Sequence, residues 1–242
     1  MRPGSRERFL ASPRMTKPRE ARRVVLDSPM STAADGAGKP SHDALASERD
    51  RLRASLFASN VDVWWRGAQE APSSLDASLK RNSTFIKRVR QGNVADVKDQ
   101  LLRDTASLNL GKYLDELVPG LPELLTKSTT VKDRLAAIEL ISALHQRYGA
   151  ESFTIPLTQA VGAQLIPPNP VTLQELSAEQ REKDETARVA RQRVLLRGAA
   201  ELALTGLAGT EVPKVEGAEA VRTMSHEFLF SVLRNLVRSA FL

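Results

Sequence analysis

The chain has 242 residues, 41% of them hydrophobic and 5% aromatic, with no cysteine and a formal net charge of +6. The lack of cysteine excludes disulfides and cysteine-based metal sites, and only three histidines argue against a histidine-based metal cluster. No apolar run approaches the roughly 20 residues that span a bilayer, so no membrane contact is predicted.

The excess positive charge lies at the N-terminus, where residues 1–23 hold eight arginines and lysines against two glutamates. Residues 1–47 are rich in Arg, Ser, Pro, Gly and Ala and lack an apolar period, which predicts a disordered basic tail. A mitochondrial presequence is disfavoured because several prolines interrupt any amphipathic helix there. Translation from Met1, Met15 or Met30 is left open by the sequence.

The first helix is predicted from about Ala44 to Arg66, because its apolar residues recur at helical spacing. The Trp64-Trp65 pair near its end has two interpretations. The pair packs in the core or at an interface, where large apolar side chains are usually buried. Alternatively, it forms a platform on which nucleic-acid bases stack.

The second helix is predicted to begin at Leu75, with Ser73 or Ser74 as its N-cap, and to stop at Gly92. Its predicted apolar stripe consists of Leu75, Leu79, Ile86 and Val89. Its basic residues, which fall largely on the other faces, are Lys80, Arg81, Lys87, Arg88 and Arg90.

The remaining chain reads as further helices separated by short turns. A helix predicted over 110–125 is expected to be bent or split by Pro119 and Pro122. The clearest apolar period begins after Thr130 and is closed by Gly149. The other predicted helices cover 94–105, 153–165 and 173–207, and a last apolar helix starts near Gly217.

No segment shows the alternation of a strand, and few aromatic residues are available for a sheet core. Successive helices with short turns predict an all-α fold of the HEAT/ARM-like type, an α-solenoid of antiparallel helix pairs. Residues 48–242 are assigned to this domain and 1–47 to the tail. The array is expected to be incomplete at its C-terminus, because the last helix is apolar at the point where the sequence ends.

Catalytic chemistry finds no support in the residue pattern. There is no glycine-rich phosphate loop, and His145 has no acidic or nucleophilic partner at a recognised spacing, so a hydrogen-bonded structural role is favoured. Glu201 lies in an apolar run and is predicted to pair with Arg197, one turn earlier. No catalytic residue, metal ligand, cofactor or small-molecule substrate is therefore predicted.

The five basic residues of the second helix are the candidate RNA contacts. Lys80 with Lys87, and Arg81 with Arg88, are seven positions apart and so share faces of the helix. If all five met phosphates of a single strand, log K would fall with log salt at a slope of about −3.5. The alternative is a charged helix face that is simply solvated.

Four segments, in order and at the expected spacing, resemble the first MIF4G-type domain of the second up-frameshift (Upf) factor of nonsense-mediated mRNA decay. They are Asp76–Val89 (DASLKRNSTFIKRV), Leu108–Glu116 (LNLGKYLDE), Leu144–Tyr148 (LHQRY) and Leu196–Gly206 (LRGAAELALTG). MIF4G-type domains contain more helices than are predicted here, so the resemblance implies the front part of a domain, or a truncated gene product.

The resemblance implies a noncatalytic scaffold or adaptor of nonsense-mediated mRNA decay. The expected partners are other decay factors, exon-junction or translation-linked proteins, and RNA. The implied location is cytoplasmic, with a perinuclear or nucleus-shuttling population. Two alternatives stay open: another MIF4G-type translation or cap-complex adaptor, and a fragment with no independent activity.

Overall fold

A computed structural model describes residues 42–69, 74–166 and 177–208, together with Phe230, Leu233 and Arg234. The predicted tail therefore lies outside the described residues up to position 41, and its last residues are helical. Most of the predicted final helix is outside as well; the three described residues there are helical and exposed.

The described ranges contain eight α-helices, α1 to α8. In chain order they are α1 His42–Arg66, α2 Leu79–Gln91, α3 Val94–Ser107, α4 Leu114–Leu117, α5 Leu121–Lys127, α6 Val131–Gly149, α7 Ile155–Leu165 and α8 Ala178–Leu204. Single 3₁₀ turns at Gly111–Tyr113 and Val118–Gly120 flank α4, and a π turn at Ala150–Thr154 joins α6 to α7. The predicted split at Pro119 and Pro122 is confirmed.

The start of α2 was predicted wrongly. The helix begins at Leu79 rather than Leu75, with Ser78 as the N-cap residue in place of Ser73 or Ser74. Asp76 prevents extension toward the N-terminus, because its carboxylate accepts the Ser78 N–H at 2.7 Å and its backbone pairs with the chain at Leu108. Such an Asx turn competes with helical hydrogen bonding.

The apolar stripe predicted for α2 is also wrong in part. Leu79 is 66% exposed, and the buried residues are Asn82, Phe85, Ile86 and Val89. The turn after the helix is as expected: Gly92 has φ of +82°, and a Cβ there would lie 3.2 Å from Cβ of Lys127. Glycine alone therefore fits both the conformation and the close approach of α5.

The helices pack in successive layers around one apolar core. α6 lies at the centre, with α1 and α3 packed along it, while α8 packs against α5 and α7. The largest fully buried side chains include Phe85, Phe153, Leu101, Leu121, Ile138 and Ile141. This is the all-α solenoid arrangement that the sequence predicts. None of the described helices is both long and apolar enough to cross a membrane.

The end of α6 holds three neighbouring segments together. His145 and Gln146 bond to Asn60 and Ser59 of α1, Arg147 donates to the carbonyl oxygen of Thr105 at the end of α3, and the Tyr148 hydroxyl accepts the Leu110 N–H at 3.1 Å. Four consecutive polar side chains therefore fix the stacking of the array at one point.

His145 has the hydrogen-bonded structural role that the sequence favours, and its side chain is fully buried. Its Nδ1 lies 2.6 Å from Oγ1 of Thr154, and its Nε2 lies 3.0 Å from the carbonyl oxygen of Asn60. Burial lowers the pKa of this imidazole below its ordinary value of 6.5, while the Asn60 carbonyl partly opposes the shift. The folded protein therefore holds His145 neutral.

Acidification is expected to destabilise the fold through His145. The unfolded chain binds the proton more readily, so stability that is fully present above about pH 6.5 is lost as pH falls toward the lower pKa of the folded state. Urea unfolding of the wild type and His145→Gln at about pH 7.5 and pH 5.5 measures this. The wild type is expected to lose more free energy between the two pH values. Equal losses would assign the pH dependence to other groups.

Candidate functional site

The five predicted RNA contacts all lie on or beside the solvent face of α2. Lys80, Arg81, Lys87 and Arg88 are exposed, and Arg90 is half-buried. The helix therefore brings the set together as its spacing predicts, but its members differ in how their charges are used within the fold.

Two of the arginines face carboxylates. Nη1 of Arg81 donates to Oδ2 of Asp76 at 2.6 Å, and its Nη2 lies 3.6 Å from Oδ1 of Asp104. Nη1 of Arg88 lies 3.9 Å from the other oxygen of Asp104, which is nearly buried. The pKa of Asp76 is lowered, first by the Ser78 backbone N–H and then by Arg81. Both arginines are thus partly neutralised.

Arg90 serves the packing of α2 against the short helices. Its Nη2 donates to the carbonyl oxygen of Glu116 at 2.8 Å, and its side chain covers Gly120, where a Cβ would lie 3.0 Å from Cγ of Arg90. It also lines an open groove of about 380 Å³ between α2 and α5. Lys127 bonds there to the Arg90 carbonyl oxygen and to Glu123, whose pKa it lowers.

Lys80 and Lys87 are the two remaining members of the set. Both are exposed, and within the described ranges neither has an ion pair. Lys87 also lines the groove beside Arg90. Of the five predicted contacts, these two lysines have the charge that is most available to a ligand.

The tandem tryptophans of α1 separate into two environments. Nε1 of Trp64 donates to the Gly206 carbonyl oxygen at 2.8 Å, and its ring centroid lies 5.5 Å from that of His145. Core packing is therefore confirmed for Trp64. Trp65 is 68% exposed and so does not pack in this core, which leaves the interface and stacking interpretations open for this residue.

A second charged cluster lies where α1, α6 and α8 meet. Glu201 accepts from Nε and Nη2 of Arg53 at 2.8 and 2.5 Å, a bidentate pair across 148 positions. The predicted partner Arg197 is therefore wrong, because the carboxylate of the buried Glu201 turns toward α1 while Arg197 is exposed. Only a long-range contact reveals this pair, and no local spacing in the sequence indicates it.

The polar side chains of the described residues serve mainly to pair helices with one another. The described residues contain no group of three or more His, Asp or Glu side chains that could hold a metal ion. His145, the residue with the strongest catalytic appeal in the sequence, is enclosed by Asn60, Thr154 and Trp64. The exposed surface includes the charged face of α2, together with single apolar residues such as Trp65 and Leu79.

Comparison with known proteins identifies relatives, although no protein-family model matches the chain. Nonsense-mediated mRNA decay protein 2 of Saccharomyces cerevisiae is 33% identical over 188 residues, which cover 73% of this chain and 16% of that protein. Regulator of nonsense transcripts 2 of Homo sapiens is 30% identical over 161 residues, covering 66% of this chain and 11% of that protein. The chain spans less than a fifth of these relatives.

Two solved structures resemble the fold. The N-terminal mIF4G domain of S. cerevisiae Upf2, a protein involved in the degradation of mRNAs containing premature stop codons, has a TM-score of 0.59 and 31% identity, covering 78% of this chain and 60% of that one. The first MIF4G domain of human UPF2 has a TM-score of 0.50 and 27% identity, covering 67% of this chain and 47% of that one.

Proposed function

Because this chain is a relative of the N-terminal MIF4G domain of Upf2 proteins, we propose that it is a noncatalytic scaffold of nonsense-mediated mRNA decay. The resemblance that the four sequence motifs indicate is thereby confirmed. A scaffold role is supported by the architecture, since stacked helices with one continuous core present rigid outer faces on which partners can be positioned.

The observation that carries the proposal is that the matching segments contact one another or hold neighbouring helices together. The LHQRY segment bonds to α1, to the end of α3 and to Leu110 of the LNLGKY segment. In the LRGAAEL segment, Gly198 lets α8 approach α5, since a Cβ there would lie 3.2 Å from Leu125. The motifs therefore maintain a shape, which is the property a scaffold requires.

The expected partners are other decay factors, with exon-junction and translation-linked proteins as further candidates. A cytoplasmic place of action, with perinuclear or nuclear passage, is also a prediction from the resemblance. The matched relatives are decay proteins, which favours this reading over a translation or cap-complex adaptor.

A chimaera tests the proposal. The segment of the S. cerevisiae relative that matches this chain would be replaced by the matching residues, and the half-life of an mRNA with a premature stop codon would be measured. We expect the chimaera to restore much of the decay that is lost when the segment is deleted. A chimaera carrying Phe85→Asp, which places a charge in the core, serves as the inactive control. Decay no faster than in the deletion, with the chimaera at normal abundance, would reject the proposal.

RNA contact by α2 is a second candidate function, supported by Lys80 and Lys87, which are exposed and have no ion pair among the residues that the structure describes. We expect Lys80→Glu with Lys87→Glu to abolish most binding of a short single-stranded RNA. Two phosphate contacts predict a salt slope of about −1.4 for the wild type, whereas engagement of all five residues predicts about −3.5. Fluorescence anisotropy across a salt series separates these values.

The matched control carries the same charge change on other exposed positions, Lys112→Glu with Lys183→Glu. If the control and the α2 double variant bind RNA equally well, the RNA proposal for α2 is wrong, and its lysines belong to a solvated face.

A further inference from the structure

Arg134, in the first turn of α6, is a buried cation without a carboxylate partner among the described residues. Only 8% of this residue is exposed. Its Nη2 donates to the Thr129 carbonyl oxygen at 3.1 Å, and its Nε has no hydrogen-bond partner. Buried charges in proteins are normally paired, because desolvation of an unpaired ion costs several kcal/mol. The adjacent Asp133 bonds to Thr130.

The surroundings of Arg134 contain more positive than negative charge. Burial lowers the pKa of Arg134, and among its charged neighbours Glu201 raises it while Arg197 lowers it further. The carboxylate of Glu201 already accepts hydrogen bonds from Nε and Nη2 of Arg53. One turn earlier on α1, Nε of Arg49 is buried without a hydrogen-bond partner and lies 3.8 Å from Oδ1 of Asp50, a carboxylate that Arg53 also contacts.

Counted over the described residues, the cluster has four arginines and two carboxylates, an excess of two positive charges. Its members are the arginines Arg49, Arg53, Arg134 and Arg197 and the carboxylates Asp50 and Glu201. Arg134 lies moreover in the first turn of a 19-residue helix. The dipole of such a helix disfavours a cation at this end and favours an anion.

We propose that this arginine cluster at the junction of α1, α6 and α8 binds a phosphate monoester, presented as a phosphoserine or phosphothreonine by a partner protein. The proposal goes beyond the scaffold function and does not depend on it. Guanidinium groups bind phosphate oxygens in a bidentate manner. A phosphomonoester carries about −1.5 to −2 charges at neutral pH, which matches the excess of two in the cluster.

Other anions fit the cluster less well. A carboxylate of a partner would leave one positive charge uncompensated. A nucleic-acid backbone brings only one negative charge per phosphate, which is less than the excess positive charge of the cluster. The charge count and the partial burial of the cluster therefore favour a phosphorylated side chain over RNA.

The test uses the full 242-residue chain and a degenerate peptide pool with a central phosphoserine, labelled with fluorescein, and the same pool with serine. Anisotropy is expected to show at least tenfold tighter binding of the phosphorylated pool. Arg197→Ala is expected to weaken that binding at least tenfold, and Arg134→Lys, which keeps the charge but loses the planar fork, to weaken it as well. Arg191→Ala, an exposed arginine of the same helix, is the matched control and should bind like the wild type.

Both alanine variants change exposed residues, so their thermal unfolding should coincide with that of the wild type. Equal binding of the two pools would overturn the proposal, and so would equal binding by the Arg197 and Arg191 variants. A single-stranded RNA that binds through Arg197 more tightly than the phosphorylated pool would also overturn it, and would assign the cluster to nucleic acid.

Discussion

Replacement of Phe85 by alanine is expected to lower the free energy of unfolding by about 3–5 kcal/mol. The ring is only 1% exposed and belongs to the central apolar cluster, so truncation removes buried area and leaves a cavity. Replacement of Leu79 by alanine, on the same helix, is expected to change the free energy by less than about 0.5 kcal/mol because its side chain lies in water.

Urea unfolding followed by circular dichroism measures both effects, with an unchanged m-value required for the comparison. A loss of this size is a large part of the total free energy of unfolding of a typical domain. The urea concentration at the unfolding midpoint is therefore expected to fall sharply for Phe85→Ala. If Leu79→Ala were the more damaging substitution, α2 would start at Leu75 and present its predicted stripe to the core. The start observed at Leu79 would then be wrong.

The pair also shows what local pattern could and could not predict about α2. Apolar spacing located the helix and its end at Gly92, since both depend on residues within a few positions of each other. It misplaced the start, because Leu75 and Leu79 continue the spacing backwards. Asp76 determines where the helix starts, because its side chain bonds to Ser78 and its backbone pairs with the distant Leu108 segment.

The basic face illustrates a similar limit for the candidate site. The sequence correctly places Lys80, Arg81, Lys87 and Arg88 on the exposed side of one helix. How available the charges of Arg81 and Arg88 are to a ligand depends in part on Asp104, which belongs to α3 and faces both arginines. Partner choice between helices follows from packing, so spacing along one helix could not reveal it.

The prediction for Glu201 rests on the same distinction between local and long-range pairing. Glu201→Ala is expected to lower the free energy of unfolding by about 2–3 kcal/mol. This is below the range for a fully buried pair, because the Arg53 and Glu201 side chains keep 19% and 11% exposure. The loss arises because the half-buried Arg53 would keep only Asp50 as a carboxylate partner, and because the negative charge of Glu201 would no longer act on the buried Arg134. Arg197→Ala and the exposed control Glu182→Ala should each cost less than about 0.5 kcal/mol.

A double-mutant cycle separates the interaction from the desolvation it offsets. With Arg53→Met and Glu201→Met combined, the loss is expected to be smaller than the sum of the single losses by about 1–3 kcal/mol, because neither charge is then left unpaired. A cycle between Arg197 and Glu201 should show no such coupling. Coupling to Arg197 instead of Arg53 would restore the one-turn pair that the sequence indicates. In that case α1 would not contact α8 at this point. The arginine cluster, which depends on that contact, would not form.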